Sequence, residues 1–276
     1  MSIFKPTLTN TISRCFGKFA NHRFIMPIQF IINFAYVKLM GVNLDEFDKL
    51  TSYKSLNLLF TRKLKKQRDF DQDQNAVISP CDSLITELGS MFISRTMQIK
   101  GFYYKADELL TDRFDQEKIK RIYNGKYVNF YLSPKDYHRY HAPTDMQIVK
   151  AVHVPGLLYS VNLKYLNKIW DLFIKNERVI LECLTKDNRL FFMVFVGAMN
   201  VGKMKFNFDD RIQTNSKKSD ITTYIYGDTY IKKGEELGRF EMGSTIVMFF
   251  EKDMVELTKE RMTKVRFGDT IAKIKE

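Results

Sequence analysis

The chain has 276 residues, is 45% hydrophobic and carries a formal net charge of +12 from 44 basic and 32 acidic side chains, so it can bury a substantial core as one large domain or one domain with an appendage. The basic excess suits a polyanionic partner or an anionic membrane surface, but the basic residues are scattered and no nucleic-acid-binding motif occurs, which argues against nucleic acid. Three widely spaced cysteines, Cys15, Cys81 and Cys183, exclude a disulfide framework and a paired-cysteine zinc site and point to a reducing compartment.

Residues 1–50 read as helical. Phe16, Phe19, Ala20, Phe24, Phe30, Ile31, Phe34, Val37 and Leu39 recur near a helical period, with Lys5, Arg14, Lys18, Arg23 and Lys38 between them. That pattern fits a helix lying in a membrane interface and equally a helix packed on a core. No apolar core followed by a small-residue cleavage site precedes it, so no signal peptide is expected. The longest apolar stretch, Phe24 to Val42, is broken by Pro27, Gln29, Asn33 and Lys38 and makes a poor transmembrane span. The helical pattern continues from Leu44 to Lys66, with Ser52 or Ser55 as caps and Lys63, Lys65 and Lys66 at the C-terminal end.

Gln67 to Asn75 is polar and aperiodic, the expected linker between a helical region, 1–66, and a β-rich remainder, 67–276. Short β-like runs follow at Ala76–Ile78, Ser83–Leu88, Tyr127–Leu132, Gln147–His153, Arg178–Leu184, Leu190–Val196, Thr222–Ile225, Ile246–Phe250 and Val265–Phe267. Glycine and proline punctuate them, as in an antiparallel sheet or barrel. Helical pieces at 105–122 and 162–175 interrupt the series, and the polar segment Phe206–Ser219 reads as a mobile loop. The expected fold is α+β and β-dominated: N-terminal helices, then an antiparallel β core.

Two stretches stand out chemically. The run 131–143, Tyr-Leu-Ser-Pro-Lys-Asp-Tyr-His-Arg-Tyr-His-Ala-Pro, holds two of the four histidines, His138 and His141, beside Asp136, Arg139 and three tyrosines. Pro134 and Pro143 bracket the pair and favour a shaped loop over a regular helix. Histidine exchanges protons readily near neutral pH. The second stretch, 237–251, places Gly243-Ser244 before an apolar run. Most Gly-Ser pairs are only turns, and a serine nucleophile needs a base with an orienting partner. One of the paired histidines and Asp82 could supply these.

Together these stretches resemble the phosphatidylserine decarboxylase family, with its Leu-Ser-Pro-x-Asp-Tyr-His-Arg-x-His-x-Pro and Gly-Ser-Thr motifs. Further blocks match in order: Phe60-Thr-Arg62 with Leu64-Lys65, Ser79-Pro-Cys-Asp82, Ile99-Lys-Gly101, Val154-Pro-Gly156 with Ser160-Val-Asn162, Asn176-Glu-Arg178, and Val196-Gly-Ala198 with Val201-Gly202. One departure is Cys81-Asp82-Ser83 where the family usually reads Ala-Asp-Gly, since serine enters positive φ less cheaply than glycine.

The resemblance implies a zymogen in which Ser244 attacks the Gly243 carbonyl. The chain is cut into a large part, 1–243, and a small part, 244–276, which stay associated, and Ser244 becomes a covalent pyruvoyl group. That group would form a Schiff base with phosphatidylserine and act as electron sink for its decarboxylation to phosphatidylethanolamine, with no external cofactor or metal. By position in the motif, His141 would be the base for self-cleavage, Asp82 would hold its tautomer, and His138 would assist decarboxylation. Tyr137 and Arg139 read as loop support, His153 as a packed polar residue. The enzyme would lie peripherally on the cytoplasmic face of the cell membrane, on anionic lipid, with homo-oligomer formation left open.

Three other readings use the same residues. A serine hydrolase would employ Asp82, His141 and Ser244 without self-cleavage, although Gly-x-Ser-x-Gly is missing. A zinc site at His138-x-x-His141 is one residue short of His-x-x-x-His and lacks the catalytic glutamate. A non-enzymatic reading takes Tyr230–Ser244 as a glycine-turned hairpin of a binding module.

Overall fold

The computed structural model describes residues 8–99, 102–199, 203–216, 220–241 and 244–275. Its centre is an eight-stranded antiparallel sheet. The order across it is Thr222–Ile231, Met146–Val154, Arg178–Leu184, Leu190–Gly197, Ser244–Phe250, Lys126–Leu132, Ser83–Ser90 and Lys264–Val265. The β-dominated, helix-led fold expected from the sequence is what forms.

Every residue of Leu190–Gly197 and Ser244–Phe250 is buried. Strand side chains alternate between faces, so each apolar run feeds two cores. Ile246, Met248 and Phe250 join Phe191, Met193 and Phe195 on one face. Val247 and Phe249 join Phe192, Val194 and Val196 on the other. Two three-stranded sheets contribute to the first core. One contains Ala76–Ile78, Thr270–Ile274 and Val255–Leu257, the other Met204–Phe206, Glu236–Phe240 and Arg139–His141. Short helices at Ala106–Leu110, Gln116–Arg121 and Leu172–Lys175 contribute to the second.

Several expectations are corrected. Leu44–Lys66 is not a continuous helix: it holds a 3-10 turn at Leu50–Ser52 and a short helix at Leu56–Phe60. Ser55 caps the latter by accepting the Leu58 N–H, and an isolated bridge pairs Phe47 with Leu64. The helical piece at 105–122 is broken at Thr111, which has φ 74°, and that at 162–175 is two short helices separated by Asp171, φ 56°. The polar stretch 67–75 is fastened down, with Arg68 on Glu46 and Asp82 and Phe70 against Phe267. The described part of Phe206–Ser219 is packed, with Ile212, Thr214 and Asn215 buried; residues 217–219 lie outside the described residues. The 131–143 loop ends in a strand, Arg139–His141, paired with Glu236–Phe240.

The N-terminal helices are α1, Leu8–Asn21, and α2, Met26–Met40. α2 is inside out. Its buried residues are Gln29 and Asn33, which form a ladder, Gln29 Nε2 to Asn33 Oδ1 at 2.9 Å and Asn33 Nδ2 to the Tyr53 carbonyl at 2.8 Å. Ile25, Met26, Ile31, Phe34 and Leu39 face outward, Leu39 at 79% exposure. Gly41 closes α2 in the left-handed region, its N–H on the Val37 carbonyl. Among the described residues no helix is long and apolar enough to cross a membrane.

Candidate active site

Ser244 opens the central strand, paired with Leu132 on one side and Gly197 on the other. It is fully buried, and among the described residues its Oγ has no hydrogen-bond partner. The preceding Gly243 lies outside the described residues. The chain reaches Ser244 from the strand Glu236–Phe240, which runs beside Arg139–His141. The Phe240 N–H donates to the His138 carbonyl at 2.9 Å. The sheet thus brings the histidine segment against the strand that delivers the serine, from positions about a hundred residues apart in sequence.

His138 is buried against Phe60, ring centroids 3.9 Å apart. Its Nδ1 lies 2.8 Å from the Asp136 carbonyl. A carbonyl only accepts, so Nδ1 carries the proton and Nε2 holds a free lone pair. That Nε2 is buried and has no partner among the described residues.

His141 is clamped on several sides. Its Nδ1–H donates to the Gly234 carbonyl at 2.9 Å, and its Nε2 accepts from the Tyr137 hydroxyl at 3.1 Å. Its ring lies on Phe267, centroids 3.7 Å apart at 14°. Gly234 has φ 79°, and a Cβ there would lie 2.4 Å from the Phe70 ring, so both conformation and space require glycine.

The sequence reading gives Asp82 the task of fixing the His141 tautomer, but in the structure the Gly234 carbonyl occupies that position. Asp82 instead takes Arg68 on both oxygens, at 2.5 and 3.0 Å, and accepts the Phe267 N–H at 2.8 Å. Its link to His141 runs through Phe267, whose ring supports the imidazole. Among the described residues no hydrogen bond joins Ser244 to either histidine. Arg139 holds Glu236 at 2.6 Å and the Thr61 carbonyl, a strut of the kind expected. His153 is buried on Glu177 at 2.8 Å, with the Asn215 N–H on the same carboxylate oxygen.

Arg68, Gly234 and Phe267 escaped the sequence reading. Only Gly234 left a signal, in the turn-like Lys232-Lys233-Gly234-Glu235.

Burial holds His138 down to about 3 and His141 to about 4, from an ordinary 6.5, because desolvation disfavours the imidazolium. Between those values and 6.5 the unfolded chain binds more protons than the folded one. Stability from this source is therefore full above pH 6.5 and falls as pH drops, by up to about 1.4 kcal/mol per pH unit for each histidine. Denaturant midpoints should decline from about pH 6.5 to 4.5, with a shallower slope in the double variant His138→Asn/His141→Asn. Equal slopes in wild type and variant would contradict the assignment.

Residues 56–273 match the family model described as phosphatidylserine decarboxylase. The phosphatidylserine decarboxylase proenzyme of Campylobacter jejuni is 48% identical over 265 residues, 94% of this chain and 97% of that protein. The proenzyme of the same name from Helicobacter pylori is 48% identical over 269 residues, covering 96% and 97%. That of Haemophilus ducreyi is 37% identical over 273 residues, covering 95% and 90%.

Proposed function

The chain belongs to the phosphatidylserine decarboxylase family, and we propose from that premise that it is a self-processing decarboxylase converting phosphatidylserine to phosphatidylethanolamine. The carrying observation is a serine sealed at the head of the central strand with its hydroxyl unpartnered, in a chain similar to named proenzymes. A buried polar atom is normally satisfied, and an orphaned one in this position fits a residue kept for chemistry. The serine hydrolase reading finds no support among these relatives.

Ser244 Oγ adds to the Gly243 carbonyl carbon, and His141 takes the hydroxyl proton. The amide becomes an ester and frees the Ser244 amine. Loss of the Ser244 Cα proton then expels the Gly243 carboxylate, and water removes the nitrogen as ammonia. The residue left is a pyruvoyl group, which supplies the electron sink for loss of carbon dioxide. To act as the base, His141 must exchange the Tyr137 hydroxyl for that of Ser244. Asp82 keeps Arg68 and the Phe267 backbone in place beneath it.

The cut leaves the small chain, 244–276, in the sheet. Its first strand pairs over seven residues with neighbours on both sides. Burial of Ile246, Val247, Met248, Phe249 and Phe250 stabilises that attachment by roughly 10 kcal/mol. The test is the intact mass of the purified active protein. Two chains joining at 243/244, the smaller blocked by a ketone, support the reading, and one unbroken active chain ends it.

The exposed apolar face of α2 supports peripheral docking on the cytoplasmic face of the cell membrane, with Arg23, Lys38 and Lys54 available to anionic head groups. The double variant Ile31→Asp/Phe34→Asp should sediment with phosphatidylserine-containing vesicles at least about tenfold more weakly, since each side chain forfeits roughly 1.5–3 kcal/mol of burial. Added salt should weaken wild-type binding without abolishing it. Unchanged sedimentation of the double variant would remove α2 from the contact.

A further inference from the structure

Arg62 is 3% exposed, yet among the described residues it enters no ion pair. Its Nη2 donates to the carbonyls of Lys135 at 2.7 Å and Asp136 at 3.1 Å. Its Nε and Nη1 are buried without any partner. The guanidinium is centred 4.5 Å from the Phe47 ring. An arginine stays charged in proteins, and leaving its donors both dry and unpaired is costly. Such a group is held ready for an anion.

The surroundings point the same way. Arg62 lines a cavity of about 770 Å³. Acids on its wall are already engaged: Asp82 and Glu46 by Arg68, Asp136 by the backbone N–H and hydroxyl of Ser133, each at 2.7 Å, and Asp45 by the Asn43 side-chain amide at 2.9 Å. Lys135 and Lys264, also on the wall, enter no ion pair among the described residues. The site adjoins the chemistry, because the Asp136 carbonyl that accepts from Arg62 Nη2 also holds His138 Nδ1.

We propose that Arg62 is the anchor of a phosphodiester subsite that fixes the lipid head group beside His138. The proposal rests on the decarboxylase reading and adds to it the residue that recognises the phosphate. Arginine suits this task because its planar, permanently charged group makes charge-assisted hydrogen bonds to phosphate oxygens. With the phosphate held there, the serine end of the head group is directed at the histidine.

The experiment compares Arg62→Gln and Arg62→Lys with the wild type on two substrates, phosphatidylserine and a serine lipid whose phosphodiester is replaced by a neutral ester linker. Self-cleavage, read by intact mass, reports that each variant folds and matures. Arg62→Gln should mature and show KM for phosphatidylserine raised about tenfold or more, with kcat changed far less and KM for the neutral lipid unmoved. Arg62→Lys should recover part of the loss. Equal kcat losses on both substrates would make Arg62 only a strut for the 133–138 loop and overturn the proposal, as would an unchanged KM. If the variants fail to mature, wild type decides. A serine-free phosphodiester lipid should then compete with substrate where inorganic phosphate at equal ionic strength does not, and competition by inorganic phosphate alone would assign the site to the free ion. A wild type that releases no carbon dioxide from phosphatidylserine would instead sink the decarboxylase reading itself.

Discussion

Ser244→Ala is expected to purify as one uncut chain of 32.6 kDa with no decarboxylase activity, folded as stably as an uncut wild-type chain. On the proposed mechanism, loss of the hydroxyl removes the atom that opens the Gly243–Ser244 bond, and no electrophile can then be made. The effect on rate is complete rather than graded. The hydroxyl has no hydrogen bond to lose, and deleting an unsatisfied buried polar group is close to neutral, within about 1 kcal/mol. Stability and activity therefore separate in a single variant, which a structural explanation would not allow. His141→Ala should also remain uncut, but it abandons the Gly234 carbonyl, the Tyr137 hydroxyl and the Phe267 ring. It should cost stability as well, on the order of 1–3 kcal/mol. Mass spectrometry and denaturation of the two variants side by side check both statements. Cleavage of Ser244→Ala at 243/244 would remove the serine from the mechanism.

The two middle strands of the central sheet were legible because they are largely apolar runs of eight and seven residues, buried on both faces. In the small flanking sheets only Ala76–Ile78 was read as a strand. Arg139–His141, Met204–Phe206 and Val255–Leu257 are three residues each, too short for alternation to register, and are held by partners remote in sequence. α2 was ambiguous for a different reason. Gln29 and Asn33 looked like interruptions of an apolar face, whereas the structure buries those two beside the partly buried Ile32, Tyr36 and Val37 and turns Met26, Ile28, Phe30, Ile31, Phe34 and Leu39 out. Periodicity reports that a helix has two faces and not which one points inward. At the site, the rarity of histidine and the motif around it singled out His138 and His141. The partners that orient His141 come from far away: the Gly234 carbonyl is 93 positions along the chain, and backbone carbonyls leave no trace in residue identity.

His138→Asn is expected to do the reverse of Ser244→Ala: it should mature into two chains and then fail to decarboxylate. Asparagine can keep a side-chain N–H near the position of Nδ1, and so retain the bond to the Asp136 carbonyl that shapes the loop. It has nothing in place of Nε2. Of the two histidines only His138 has an unengaged nitrogen, since Nε2 of His141 is occupied by Tyr137. Burial keeps His138 neutral in the free protein, and a substrate carboxylate brought beside it offsets that burial, so that Nε2 can take a proton from the substrate ammonium as the amine becomes a nucleophile. It can then return that proton to the carbon that has lost carbon dioxide. Loss of such a group lowers kcat by about 10²–10⁴, while KM, set by contacts to the head group and the membrane, should move much less. Mass spectrometry of the variant beside a carbon dioxide release assay separates the two roles. An uncut His138→Asn chain would mean that the unengaged nitrogen serves Ser244 in self-cleavage, and the base would then be His138 rather than the histidine clamped by Gly234, Tyr137 and Phe267.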